Sequence, residues 1–101
     1  MRPYSSEARF NALEYDLRKE RASALGETGR QVQAALLALR NAPADDAALQ
    51  HKLLWAAAKC VWRYFIQREA CGMRDHDLVI EEYAIPKQVL ARVGAREPDP
   101  A

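Results

Sequence analysis

The sequence predicts an all-α protein: a long antiparallel helical hairpin with two short C-terminal helices packed on it. Three observations lead to this fold class. Apolar residues recur at helical spacing through most of the 101 residues. Strand-like alternation is absent from the whole sequence, and the stretch 49–71 is apolar on three sides of a helix. Such a helix belongs at the centre of a bundle.

The first helix is predicted over residues 6–40, with Ser5 or Ser6 as its N-terminal cap. One apolar stripe defines it: Phe10, Leu13, Leu17, Ala24, Leu25, Val32, Ala35, Leu36 and Leu39. The stripe keeps its phase across Gly26 and Gly29, and two helices joined by a turn would have no reason to stay in phase. We therefore favour one continuous helix. The alternative is a break at these glycines, with Thr28 as the N-terminal cap of a new helix.

Two glycines inside a helix disfavour it by about 2 kcal/mol relative to alanine. Close helix packing would offset this cost, because Ala22, Gly26 and Gly29 present little side chain on one flank. The glycines are thus expected to mark a place where another element approaches the helix backbone.

The second helix is predicted over residues 46–71, after a turn at residues 41–45. Pro43 cannot continue the first helix, Asp45 is expected to cap the second, and Gly72 is expected to end it in a left-handed conformation. So short a connection makes the two helices antiparallel. At 1.5 Å per residue they would be about 50 Å and 40 Å long, too unequal to cover each other.

The second helix has only one narrow polar stripe, formed by Lys52, Lys59, Arg63 and Gln67. One or two neighbours within a short chain could hardly cover its remaining surface. The C-terminal part or a second copy must therefore cover the rest, and we expect a homodimer that completes the bundle through the hairpin. The residues expected at that interface are Trp55, Trp62, Phe65 and Ile66.

Two short helices are predicted after Gly72. Asp75 is expected to cap the first, residues 76–83. Pro86 suits the first position of the second, which runs to Val93 and ends at Gly94. Residues 1–94 then form a single helical domain, and residues 95–101 form a disordered tail because they have nothing to bury.

Composition excludes several function classes. Fifteen basic and fourteen acidic residues give a net charge of +1, which supplies no global attraction for nucleic acid or an anionic membrane. Two cysteines eleven positions apart on one helix cannot form a disulfide, and no apolar segment is long enough to span a membrane or to serve as a signal peptide. These features predict a cytoplasmic protein with no cofactor, and motifs for phosphate, metal or hydrolase chemistry are missing.

The last two predicted helices resemble a helix-turn-helix, since Val79, Tyr83, Ile85, Leu90 and Val93 match the apolar positions of that motif. In a genuine motif Lys87, Gln88 and Arg92 would face the DNA major groove. Two positions depart from the pattern. Ile80 stands where the helices usually touch through alanine or glycine, and Ala84 stands where the turn usually has glycine. Packing on the hairpin is the simpler role for this pair, and a DNA-binding regulator is the first alternative function.

Reactive side chains gather between residues 67 and 76. Cys71 and His76 could form a nucleophile and base, or three metal ligands together with Asp75, which gives a thiol sensor or enzyme as a second alternative. A structural interpretation accounts for the same residues. Gly72 and Asp75 are caps, Arg68 and Arg74 complement the carbonyl end of the helix, and Glu69 pairs with an arginine.

Several segments together resemble a family of small uncharacterised bacterial proteins classed as a domain of unknown function. They are residues 10–15 (FNALEY), 21–26 (RASALG), 67–72 (QREACG), 74–76 (RDH), 85–86 (IP) and 89–92 (VLAR). The resemblance implies a cytoplasmic bacterial protein and assigns no activity, so it adds no site residues. Our leading hypothesis is therefore a non-catalytic oligomeric or protein-interaction module, on the strength of the three-sided apolar helix.

Overall fold

The computed structural model describes the backbone of residues 6–99 and the side chains in that range, except those of residues 6, 13–14 and 16–22. Four helices occur there, and no described residue lies in a β-strand. Their bounds are α1 Ser6–Asn41, α2 Ala47–Ala70, α3 Asp77–Glu82 and α4 Lys87–Leu90. The all-α prediction, with a hairpin followed by two short helices, is confirmed.

Helix α1 runs without a break through its two glycines, as the phase of the stripe predicted. Gly29 is buried, and a Cβ atom there would lie 3.2 Å from Tyr83 Oη and 3.4 Å from Tyr64 Cε1. At Gly26 the nearest such atom is 3.4 Å away and belongs to the Arg30 side chain. The close approach expected of the glycines is therefore at Gly29. The predicted caps Ser5 and Ser6, and the side chains of Leu13, Leu17 and Ala22, lie outside the described residues.

The turn between α1 and α2 corrects one predicted cap. Asp46, and not Asp45, caps α2, because its Oδ1 accepts a hydrogen bond of 3.1 Å from the Leu49 N–H. The Asp46 N–H in turn donates to the Pro43 carbonyl over 3.1 Å, so the turn takes in one more residue than the sequence suggested. Gln50 closes it by donating from Nε2 to the carbonyls of residues 42 and 43.

Gly72 ends α2 as predicted, with φ +86°. The C-terminal helices are shorter than expected. Asp75 Oδ1 does accept a 3.0 Å hydrogen bond from the Asp77 N–H, but the helical residues start only at Asp77. Helix α4 ends at Leu90 and not at Val93, because the N–H groups of residues 92 and 93 bond to carbonyls three positions back, which gives turns.

The C-terminal segment completes the core of the hairpin. Buried side chains come from all three parts of the chain: Val32 and Leu36 of α1, Ala57, Ala58, Val61 and Tyr64 of α2, and Val79, Ile85 and Val89 of the C-terminal segment. Arg40 ties this segment to α1, since its Nη2 donates to the carbonyl oxygens of Tyr83 at 2.9 Å and Ala84 at 3.4 Å.

The two halves of α1 differ in the exposure of their described side chains. Every described side chain between residues 7 and 24 is exposed, and α1 is 36 residues long against 24 for α2. The radius of gyration is 18.5 Å, against about 13 Å for a compact chain of this size. Helix α2 packs along the other half of α1, where the buried residues Gly29, Val32 and Leu36 lie, so the length mismatch predicted from the sequence is real.

Candidate functional site

The predicted polar cluster assembles around His76, which lies at the start of α3. Arg68 donates from Nε to His76 Nδ1 over 3.1 Å and from Nη2 to the Asp75 carbonyl over 2.9 Å. His76 Nε2 lies 3.2 Å from Glu69 Oε1. The imidazole also stacks on Phe65, with ring centroids 4.1 Å apart and planes 2° from parallel. The cluster thus fastens the loop between α2 and α3 to the end of α2.

Cys71 and Arg74 belong to the same loop without joining this network. Cys71 is a free thiol whose backbone N–H caps the last turn of α2. The described part of the chain contains no group of three His, Cys, Asp or Glu side chains that could hold a metal. Chemistry at Cys71 with His76 therefore stays a prediction. Of the expected structural roles, the end of α2 at Gly72 and the hydrogen bond to the Asp75 side chain are present. Two others are corrected: Arg68 bonds His76 and the Asp75 carbonyl and not the carbonyl end of α2, and Glu69 lies against His76 and not against an arginine.

The four predicted interface residues fall into two groups. Trp55 is only 7% exposed, with the Arg92 guanidinium 5.6 Å above its ring, and Phe65 is partly buried under His76. Trp62 and Ile66, one turn apart on α2, are 46% and 42% exposed. Only these last two present a free apolar surface, which we call the tryptophan face.

Of the three predicted DNA-contacting residues, Gln88 and Arg92 lie together in the C-terminal segment. Lys87 and Gln88 are exposed, whereas Arg92 is half-buried and donates from Nη1 to the Gln88 carbonyl over 2.8 Å. Ala84 has φ +51°, so the turn takes the left-handed conformation that glycine usually supplies. Helices α3 and α4 make no close Cα approach to each other, as the bulk of Ile80 suggested, and α4 is a single turn. The two helices pack on the hairpin, and α4 presents little helical surface to a DNA groove.

Sequence reasoning missed a cleft where the end of α1, the start of α2 and the C-terminal segment meet. Its volume is about 450 Å³. Its polar lining comes from Arg40, Gln50, His51, Gln88 and Arg92, and we call it the arginine cleft. Gln88 and Arg92 had been singled out, as candidate DNA contacts. The sequence gave no signal that joins them to Arg40, because 52 positions separate Arg40 from Arg92 and only the folded chain brings them together.

No described helix combines the length and apolar character needed to cross a membrane. Comparison with known proteins gives one result on the family and none on activity. No curated protein and no solved structure matches the chain. The model of a family of unknown function, DUF6665, matches residues 1–100, which confirms the resemblance seen in the sequence. The chain therefore belongs to this family of unknown function.

Proposed function

We propose that the chain is a non-catalytic interaction module that forms a homodimer through the first half of α1. One observation carries the proposal: every described side chain in this part of the helix is exposed. Phe10 is 65% exposed and Tyr15 is 67% exposed. Both are large apolar side chains on a helix that continues into the core of the molecule.

An uncovered helix of this length gains little stability in water. Most helical stability in proteins comes from packing an apolar face, and isolated helices are marginal. The stripe that includes Phe10 continues in phase into Leu25, Val32 and Leu36, and these three pack against the rest of the chain. The uncovered half therefore carries the same kind of packing surface as the covered half, and needs a partner.

A second copy supplies a matching partner. In a two-fold dimer the same patch faces itself, so an exposed stripe pairs with an equal stripe. Residues 7–14 carry two acidic residues and one basic residue, and residues 15–21 carry three basic and two acidic residues. An antiparallel pairing of the two segments brings the negative part of one against the positive part of the other.

The dimer is tested by light scattering across a dilution series. We expect a mass of twice 11.4 kDa, and we expect Phe10→Glu to give a monomer because it places a charge in the apolar stripe. Leu37→Glu is the matched control, since Leu37 is also an exposed apolar residue of α1 but lies in its covered half. It should leave the mass unchanged.

Trp62→Glu separates this interface from the tryptophan face. If the dimer survives Trp62→Glu and is lost with Phe10→Glu, the first half of α1 is the interface. The reverse result would move the interface to α2. A wild-type monomer at every concentration would overturn the dimer altogether.

We also infer that the protein works in the bacterial cytoplasm. Both cysteines are free thiols, and reduced thiols are typical of that compartment. Thiol titration of the protein purified without reductant tests this: two reactive thiols per chain after denaturation are expected.

A further inference from the structure

The arginine cleft is lined by positive charge without negative charge. Arg40 and Arg92 both line it, and no acidic side chain does. In the described part of the chain neither arginine has a carboxylate within ion-pair distance. Two guanidinium groups without a carboxylate partner therefore face one cleft.

Both arginines are held in place by their own chain. Arg40 uses Nη2 for the carbonyls of residues 83 and 84. Arg92 uses Nη1 for the Gln88 carbonyl, and its guanidinium lies over the Trp55 ring. A guanidinium has five N–H donors, so each arginine keeps Nε and one terminal nitrogen for another acceptor. Donors fixed in advance lose little entropy on binding.

The rest of the lining adds hydrogen-bond donors and an apolar wall. Gln88 is exposed at the cleft, and the His51 ring lies against Trp55, with centroids 6.4 Å apart. Leu39, Leu54 and Pro86 form the apolar part. A cleft of about 450 Å³ lies in the size range of small-molecule sites.

We propose that the arginine cleft binds a small organic anion: a carboxylate or phosphate group held between Arg40 and Arg92, on an apolar body that contacts Leu39, Leu54 and Pro86. Arginine suits planar or tetrahedral oxyanions because its donors form a fork. The proposal does not depend on the dimer, since Arg40 lies in the last turn of α1, away from the exposed first half.

Titration by NMR tests the site with three probes: phenylacetate, phenyl phosphate and the neutral isostere phenylacetamide. We expect saturable shifts of the His51 ring protons and of the Arg40 and Arg92 Nε–H signals with at least one of the two anions, and the tighter anion identifies the head group. Phenylacetamide should leave them in place. Equal shifts with the amide, or none with either anion, would overturn the proposal.

Three variants assign the contact. Arg40→Gln and Arg92→Gln should each weaken binding of the more tightly bound anion by about tenfold or more. This is the loss expected when a hydrogen bond to a charged group is removed. Arg30→Gln is the control, because Arg30 is an exposed arginine of α1 paired with Glu27, and it should bind as wild type. If Arg40→Gln unfolds, Arg92→Gln decides alone, and wild-type binding by that variant would refute the site.

Inorganic phosphate and a short DNA duplex complete the test. Inorganic phosphate should bind more weakly than phenyl phosphate, because it lacks the apolar body. A duplex that shifts the same signals at lower concentration than either small anion would replace the proposal with nucleic-acid binding.

Discussion

Tyr83 occupies a crowded position between α1 and α2. Its ring lies 5.7 Å from the Tyr64 ring, and its hydroxyl is close to the backbone of Gly29. A side-chain hydrogen bond with Tyr64, followed by burial, raises the pKa of Tyr83 above its usual 10.0. A group that ionises less readily when folded stabilises the protein at every pH below its unfolded pKa.

We expect this contribution to be lost as the pH rises above about 10, because the unfolded chain then ionises first. Tyr83→Phe removes both the hydrogen bond and the ionisation. It should cost about 1 kcal/mol at neutral pH and should make the unfolding free energy less dependent on alkaline pH. Urea denaturation of both proteins at about pH 8 and about pH 11 measures the difference. If the unfolding free energy falls equally between the two pH values in both proteins, the prediction is wrong.

The residues around His76 show how far single residues could be predicted. Gly72 followed from turn chemistry, since the end of a helix depends on local backbone geometry. Asp75 was predicted to cap α3, but the N-cap position is His76, and Asp75 instead closes a two-residue turn to the Asp77 N–H. The stack of His76 on Phe65 could not be predicted, because it depends on the path of the loop between α2 and α3. No residue type or spacing in the sequence encodes that path.

At the scale of elements, the two glycines of α1 differ in what surrounds them. Gly26→Ala should stabilise the protein by about 0.5 to 1 kcal/mol through helix propensity, since only a flexible arginine side chain is close. Gly29→Ala should lack this gain, because its Cβ would press on Tyr83 and Tyr64. Thermal or urea unfolding of both variants checks the order. Equal gains in the free energy of unfolding would mean that the Tyr64 and Tyr83 side chains move aside without cost.

Ala84 stores strain in the turn between α3 and α4, because a non-glycine residue at φ +51° is disfavoured. Ala84→Gly should therefore stabilise the protein by about 0.5 to 1 kcal/mol, after the entropy that glycine adds to the unfolded chain. Ala91→Gly is the control. Its φ of −62° holds no such strain, so that change should destabilise. If urea unfolding shows that both glycine variants are less stable than the wild type, Ala84 holds no strain and the prediction is wrong.

The elements themselves could be predicted well from periodicity, and their ends less well. The unbroken α1 followed from the phase of its stripe, which a tertiary contact at Gly29 reinforces. Asp45 and Asp46 are both good caps by residue type, so only the turn decides between them. Helix α4 ended early because the last predicted turn closes with three-residue hydrogen bonds, which the apolar spacing does not distinguish.

At the scale of the whole molecule, the lengths of the helices could be predicted from the sequence. The sites where separate segments of the chain meet could not. The unequal helices were evident in the sequence, but the interface was expected on α2, at Trp55, Trp62, Phe65 and Ile66, and the exposure of Phe10 and Tyr15 on α1 was not foreseen. The arginine cleft depends on three segments that meet only after folding. The net charge of +1 does not reveal that this cleft is positively charged, because the acidic residues lie elsewhere.

The tie between Arg40 and the carbonyls of Tyr83 and Ala84 has a consequence for the order of folding. It joins residues 43 and 44 positions apart, whereas α1 and α2 meet across a short turn. Contacts between distant positions form late, because a longer loop must close first. The hairpin is thus the surface on which the C-terminal quarter assembles, and that quarter is expected to join the core after the hairpin has formed.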